Sequence, residues 1–177
     1  MEDISIYCAD ISNAIGSLGG VCCGKAEMVR VQRLNGSGYM YSASNPPYSA
    51  SAATAALHKI NQAPSIVTDL QAKSKKLHGL LSGIPHVEIE SHELCPYKIL
   101  RLSAQVRPEE PLEEAKLYQA IVDRVRDLGV AITRTKYSSS ERYPPPPQIK
   151  VSMMTMHTEE QVDQIAEAIR TAITEKL

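Results

Sequence analysis

Residues 10–24 read D-I-S-N-A-I-G-S-L-G-G-V-C-C-G. Apolar segments, Ile4–Ala9 ahead and Val21–Cys23 behind, flank a turn carrying Gly16, Gly19 and Gly20. The pattern predicts two short buried strands joined by a glycine-rich loop. Asn13 sits inside that loop. An amide nitrogen has no basic lone pair and cannot condense with an aldehyde, so covalent carbonyl chemistry is closed at this position. Lys25 follows the second strand, beyond the glycine turn, and is expected to point elsewhere.

This stretch resembles the cofactor loop of the α-oxoamine synthases, a branch of the type I pyridoxal-phosphate (PLP) enzymes. There a strand runs into T-[FL]-[STG]-K-[AS]-[FI]-G-x-x-G-G, and the lysine forms the Schiff base with PLP. Ser12, Ala14, Ile15, Gly16, Gly19 and Gly20 match, and Asn13 stands where the lysine would be. Downstream, Gln32-Arg33-Leu34-Asn35-Gly36-Ser37-Gly38-Tyr39 and Tyr41-Ser42-Ala43-Ser44-Asn45-Pro46-Pro47 resemble segments of the lysine-free, non-catalytic subunits in that family. So do Cys22-Cys23-Gly24, Pro145-Pro146-Pro147 ahead of a strand, and Thr158-Glu159-Glu160 opening the last helix.

The resemblance covers nearly the whole chain. It implies an α/β fold class, the C-terminal part of a type I PLP-dependent transferase. Residues 1–66 would close the large domain and 67–177 would form the small C-terminal α/β domain. It implies no catalytic residue in this chain, and PLP in a shared dimer site, held covalently by a catalytic partner subunit. The substrates it implies are L-serine and palmitoyl-CoA, condensed to 3-ketodihydrosphinganine in sphingolipid synthesis. A full-length member would sit on the cytosolic face of the endoplasmic reticulum membrane. Two alternatives stay open: an active aminotransferase-like enzyme or oxoamine synthase with a displaced lysine, and a free-standing pseudoenzyme binding PLP or acyl-CoA without turnover. The opening Met1-Glu2-Asp3-Ile4-Ser5-Ile6-Tyr7 reads like the approach to a core strand, so a C-terminal fragment is expected.

Working outward, Met28–Leu34 fits a helix or a strand, and Asn35-Gly36-Ser37-Gly38 is predicted as a turn. Pro46-Pro47 opens an Ala-rich, tightly packed helix over Tyr48–Ile60. Pro64 stops it, and a second helix starts near Ser65 with Ile66, Val67, Leu70, Leu77, Leu80 and Leu81 on one face and Gly83 at its end. Strands are predicted at Val87–Ile89, Lys98–Ala104, Val130–Thr135 and from Ile149, where Ile149, Val151 and Met153 alternate with polar or exposed positions. Leu112–Leu128 reads as a helix burying Leu117, Ile121, Val125 and Leu128. Thr158-x-x-Gln161 is a capping box for a final helix burying Val162, Ile165, Ile169 and Ile173.

The 177 residues suffice for one core or parts of two, and 19 basic against 20 acidic residues exclude an electrostatic nucleic-acid or polybasic membrane binder. No apolar run approaches a bilayer span. The four cysteines make no C-x-x-C, which points to reduced thiols rather than zinc.

Three further positions carry candidate chemistry. The family segment equivalent to Ser42-Ala43-Ser44 reaches across the dimer to the partner's PLP phosphate, so Ser42 and Ser44 are candidate cofactor contacts; a serine bonded to local backbone is the competing reading. The hydroxyl most used in the family aligns with Ala43, which has none. Lys150 aligns with an arginine that clamps the substrate carboxylate; it keeps the charge and loses the fork. His86, Glu88, Glu90 and His92 alternate, a pattern that fits a solvated strand face better than a metal site.

Overall fold

In the computed structural model the described residues are 4–138 and 140–177; the opening Met1-Glu2-Asp3 lies outside them. The chain divides into two compact units, the first ending at Pro64 and the second running Ser65–Leu177.

The first unit is a hairpin followed by helices. Strands β1 (Ile6–Asp10) and β2 (Gly20–Gly24) pair antiparallel in a two-stranded sheet. Helix α1 (Ala26–Asn35) settles the ambiguity at Met28–Leu34, and a single helical turn, α2 (Ser37–Met40), occupies part of the predicted turn. Pro47 occupies the first turn of α3 (Pro47–Gln62), where its missing N–H costs nothing.

Two expectations are corrected here. The strands are not buried: Ile6, Tyr7 and Val21 are exposed, as is Cys8. The Ala-rich helix is not tightly packed either, with only Ser49 and Ala53 buried. The cause is layering. A strand pair hides its faces only when another layer covers them, and here neither strand has a buried residue. Alanine adds only a methyl group for such a layer to grip.

The second unit has a complete core. Strands β3 (Val87–Ile89), β4 (Tyr97–Leu102), β5 (Thr133–Arg134) and β6 (Ile149–Ser152) form an antiparallel sheet in the order β3-β4-β6-β5. Register pairs Leu100 with Ile149 and Lys98 with Val151, so Leu100, Leu102, Ile149 and Val151 line one face. Helices α4 (Ser65–Ser82), α5 (Pro111–Asp127) and α6 (Glu159–Lys176) join that face in one cluster containing Leu77, Leu81, Ile121, Val125, Val162, Ile169 and Ile173. The capping box is formed at α6: the Thr158 hydroxyl accepts from Gln161 N, and the Gln161 side chain accepts from Thr158 N.

The sequence pattern misplaces some positions. Val67 is exposed on α4, whereas Ser74 is fully buried and donates to Cys95 O at 2.6 Å. β5 is two residues rather than six: Gly129, at φ 86°, turns the chain out of α5, and Val130 and Ile132 are buried before the strand pairing begins. Lys98 is buried within β4 and donates to Glu93 O at 2.8 Å and His92 O at 3.3 Å, and burial pushes its pKa down. Glu114 is buried between Arg101 and Arg107, each 3.8 Å from its Oε1. In the alternating His86–His92 segment Glu90 accepts from Gln148 and Arg101; among the described residues no three His, Cys, Asp or Glu side chains are grouped closely enough to hold a metal ion.

Tyr118 is fully buried, its Oη accepts from Leu102 N at 2.9 Å, and burial pushes its pKa up to about 12. Tyr118→Phe strands that amide and is expected to cost about 1–3 kcal/mol in urea unfolding; an unchanged midpoint would show that the bond adds nothing. Since the core cluster lies wholly in the second unit, its amides should exchange far more slowly than those of residues 4–64. Equal protection across both units would contradict this division.

Candidate functional site

The loop between β1 and β2 is organised by one carboxylate. Asp10 ends β1, and its Oδ1 accepts from Ser12 N at 3.0 Å and Ser12 Oγ at 2.8 Å. Asp10 Oδ2 accepts from Asn13 Nδ2 at 2.7 Å. This is an Asx-type turn, the local geometry a short acidic side chain supports. These bonds, the Ser12 hydroxyl's foremost, hold the Asp10 carboxyl below the usual carboxylate range. The Asn13 amide therefore acts as a donor that closes the turn.

The rest of the loop is held by backbone. Ile11 N donates to Gly19 O at 3.0 Å and Ser17 N to Ile11 O at 2.9 Å, with Ile11 buried beneath. Gly16 (φ 67°) and Gly19 (φ 89°) occupy the left-handed region, which glycine enters without steric cost. At Gly19 a Cβ would also run into the Asn45 side chain.

That approach brings the second candidate segment to the loop. Asn45 Nδ2 donates to Leu18 O at 3.2 Å, and Ser17 Oγ donates to Ser49 O at 2.7 Å. Ser49, almost fully buried, donates in turn to Pro46 O at 2.8 Å. The Ser42–Asn45 stretch is thus fastened to the glycine loop through its end at Asn45. Within it, Ser42 Oγ donates to Gly38 O, the local backbone bond weighed above. Ser44 is exposed.

Lys150 lies in the second unit, exposed on β6 and opposite Ile99 and Thr133. Lys25 caps the start of α1, past the five residues of β2. At 3.3 Å per residue it stands about 16 Å along the strand from the loop. Sequence reasoning missed Asp10, Ser17, Asn45 and Ser49. An acid two residues before a serine is a legible Asx-turn signal; the other three bond across 27 or 32 residues and leave no local trace.

The chain belongs to the class I and II aminotransferase family, whose model matches residues 1–169. Within it the chain is similar to serine palmitoyltransferase 1 of Dictyostelium discoideum, with 33% identity over 94% of this chain and 36% of that protein. It is also similar to long chain base biosynthesis protein 1c of Oryza sativa subsp. japonica, with 34% identity over 96% of this chain and 35% of that one. The chain therefore spans about a third of the length of these curated relatives. Among solved structures, SPT with PLP superposes at a TM-score of 0.80 over 98% of this chain and 40% of that one, at 17% identity, which establishes the shared α/β fold. That fold is therefore one that holds PLP in a solved member. No helix among the described residues is long and apolar enough to cross a membrane.

The Asp10 turn titrates with a defined sign. Its folded pKa lies below the ordinary carboxylate value, so its stabilisation is complete above the ordinary value and is lost as pH falls through the depressed one. The Ser12 and Asn13 amide resonances are expected to shift together at a midpoint below that of a free aspartate. A midpoint at the ordinary value would mean the turn is not formed in solution.

Proposed function

We propose that this chain acts as a non-catalytic subunit of serine palmitoyltransferase, in a heterodimer with a catalytic subunit that carries the Schiff-base lysine. The reaction it supports joins L-serine to palmitoyl-CoA, releasing CO2 and CoA and giving 3-ketodihydrosphinganine for sphingolipid synthesis. The full protein would work at the cytosolic face of the endoplasmic reticulum membrane. The observation that supports the reading is Asn13, which the resemblance of its loop puts at the lysine position and which spends its amide on Asp10.

The residues present do not fit a covalently held PLP, because the loop offers no amine. They fit a supporting role in a shared site. PLP, held by the partner, supplies the electron sink for the condensation. This chain supplies a wall: the Ser42–Asn45 segment, pinned by Asn45 and Ser49, presents the exposed Ser44 hydroxyl as a donor suited to phosphate oxygens. Ser42 would join it only after releasing Gly38 O. Lys150 offers a positive charge toward a carboxylate, without arginine's bidentate geometry. The division at 1–66 and 67–177 corresponds, in this reading, to the end of the large domain and the small domain. A displaced lysine is disfavoured by the position of Lys25 at the far end of β2.

The exposed apolar side chains of the first unit, among them Tyr7, Val21, Val31 and Leu34, suit burial in such an assembly. Co-expression with a catalytic subunit followed by borohydride reduction is expected to label the partner and leave this chain unlabelled. Ala43→Trp, in the proposed cross-subunit segment, should lower recovery of the heterodimer at least several-fold. A label on this chain, or unchanged pairing by Ala43→Trp, would overturn the proposal.

A further inference from the structure

Cys8 and Cys22 face each other across the hairpin. They are direct register partners, and the Cys8 thiol donates to Cys22 Sγ at 3.5 Å. The kind of pair follows from the loop. Ile11 N donates to Gly19 O one step past the Asp10–Gly20 end of the ladder, which puts Ile11 and Gly19 in phase with its hydrogen-bonded positions. Antiparallel pairs alternate in type, so three steps back Cys8 and Cys22 form a non-hydrogen-bonded pair, the closer kind, with Cα atoms about 4.5 Å apart. That separation falls inside the range a disulfide tolerates, and closing the sulfurs to bonding distance asks for about 1.5 Å of side-chain movement.

The competing pairings are worse. Cys23 adjoins Cys22, but successive strand residues point to opposite faces, and Cys23 is the register partner of Tyr7. Cys95 lies in the second unit. Cys8 is exposed and Cys22 half-buried, so a small oxidant reaches them.

We propose that Cys8 and Cys22 are a redox pair that closes into an intramolecular disulfide under hydrogen peroxide. One thiolate attacks a peroxide oxygen and breaks the O–O bond, forming a sulfenic acid and expelling hydroxide, which takes up the proton the thiol released and leaves as water. The second thiol attacks that sulfur and expels a second water. Two cysteines together lose two electrons and two protons, and the peroxide is reduced to water. A dithiol reductant reverses the bond by exchange. The Cys8 thiol is held above the ordinary range, first by its hydrogen bond to Cys22, so the reaction should accelerate as pH rises above neutral. The new bond would lock the loop that carries Asp10, Ser12 and Asn13. It would do so whether or not the chain has a partner subunit.

The test treats the 177-residue chain with hydrogen peroxide, blocks free thiols by alkylation and maps disulfides by mass spectrometry. The expected product is a Cys8–Cys22 cross-link, removed by dithiothreitol. Amide exchange at Ile11 and Ser17 should slow at least several-fold in the oxidised chain. Cys23→Ser and Cys95→Ser should keep the cross-link. Cys8→Ser and Cys22→Ser should each lose it, with the circular dichroism of the reduced chain unchanged. A Cys22–Cys23 bond, a cross-link only between chains, or two free thiols after oxidation would each overturn the proposal. So would a Cys8–Cys22 cross-link without slower exchange at Ile11.

Discussion

The second unit depends on the burial of one face of β6. Ile149 and Val151 are 2% and 1% exposed, while Lys150 and Ser152 between them are exposed. β6 is paired on both sides, with β4 and β5, so it fixes the sheet's register. A slip of one residue would turn Ile149 and Val151 to solvent and Lys150 into the core. The same core cluster takes in α6, where Val162, Ile169, Ala172 and Ile173 are almost completely buried. The Thr158–Gln161 box sets where that helix starts, and therefore which residues face the sheet.

Buried polar groups tie the connections to this core. Ser74 on α4 and Lys98 on β4 both bond carbonyls of the His92–Cys95 turn, Glu93 O accepting from both and Cys95 O from Ser74. Tyr118 on α5 serves Leu102 N in the same way. Removing one partner of such a bond leaves an unsatisfied group in a low-dielectric interior, so these side chains fix the arrangement more than they add to its stability.

These bonds also mark what the sequence could and could not convey. α6 was legible end to end because its cap and its apolar spacing are local. The Ile149–Met153 alternation was legible for the same reason. Ser74, Lys98 and Glu114 were not, because a polar residue in an amphipathic pattern reads as solvated unless its partner is known, and Ser74 bonds 21 residues away. Met28–Leu34 is too short for periodicity to separate a helix from a strand. In the first unit the apolar segments are legible as strands, and their burial depends on a covering layer, which strand residues by themselves do not encode. Asn13 was the most legible position of the site, since its chemistry follows from the residue alone. The Asp10 turn around it is equally local, spelled out by D-I-S-N.

The loop's construction explains how an amine can be absent while the segment beside it keeps its place. The loop closes through Ile11–Gly19 and Ser17–Ile11 backbone bonds and through glycines at positive φ. The 42–49 segment is fixed by Ser17–Ser49 and Asn45–Leu18. None of these bonds uses the side chain at position 13. A residue there can lose covalent chemistry without loosening the loop, provided that its replacement satisfies its surroundings, and asparagine does so by donating to Asp10. The shape of the loop and of the 42–49 segment therefore rests on contacts that the side chain at position 13 does not make.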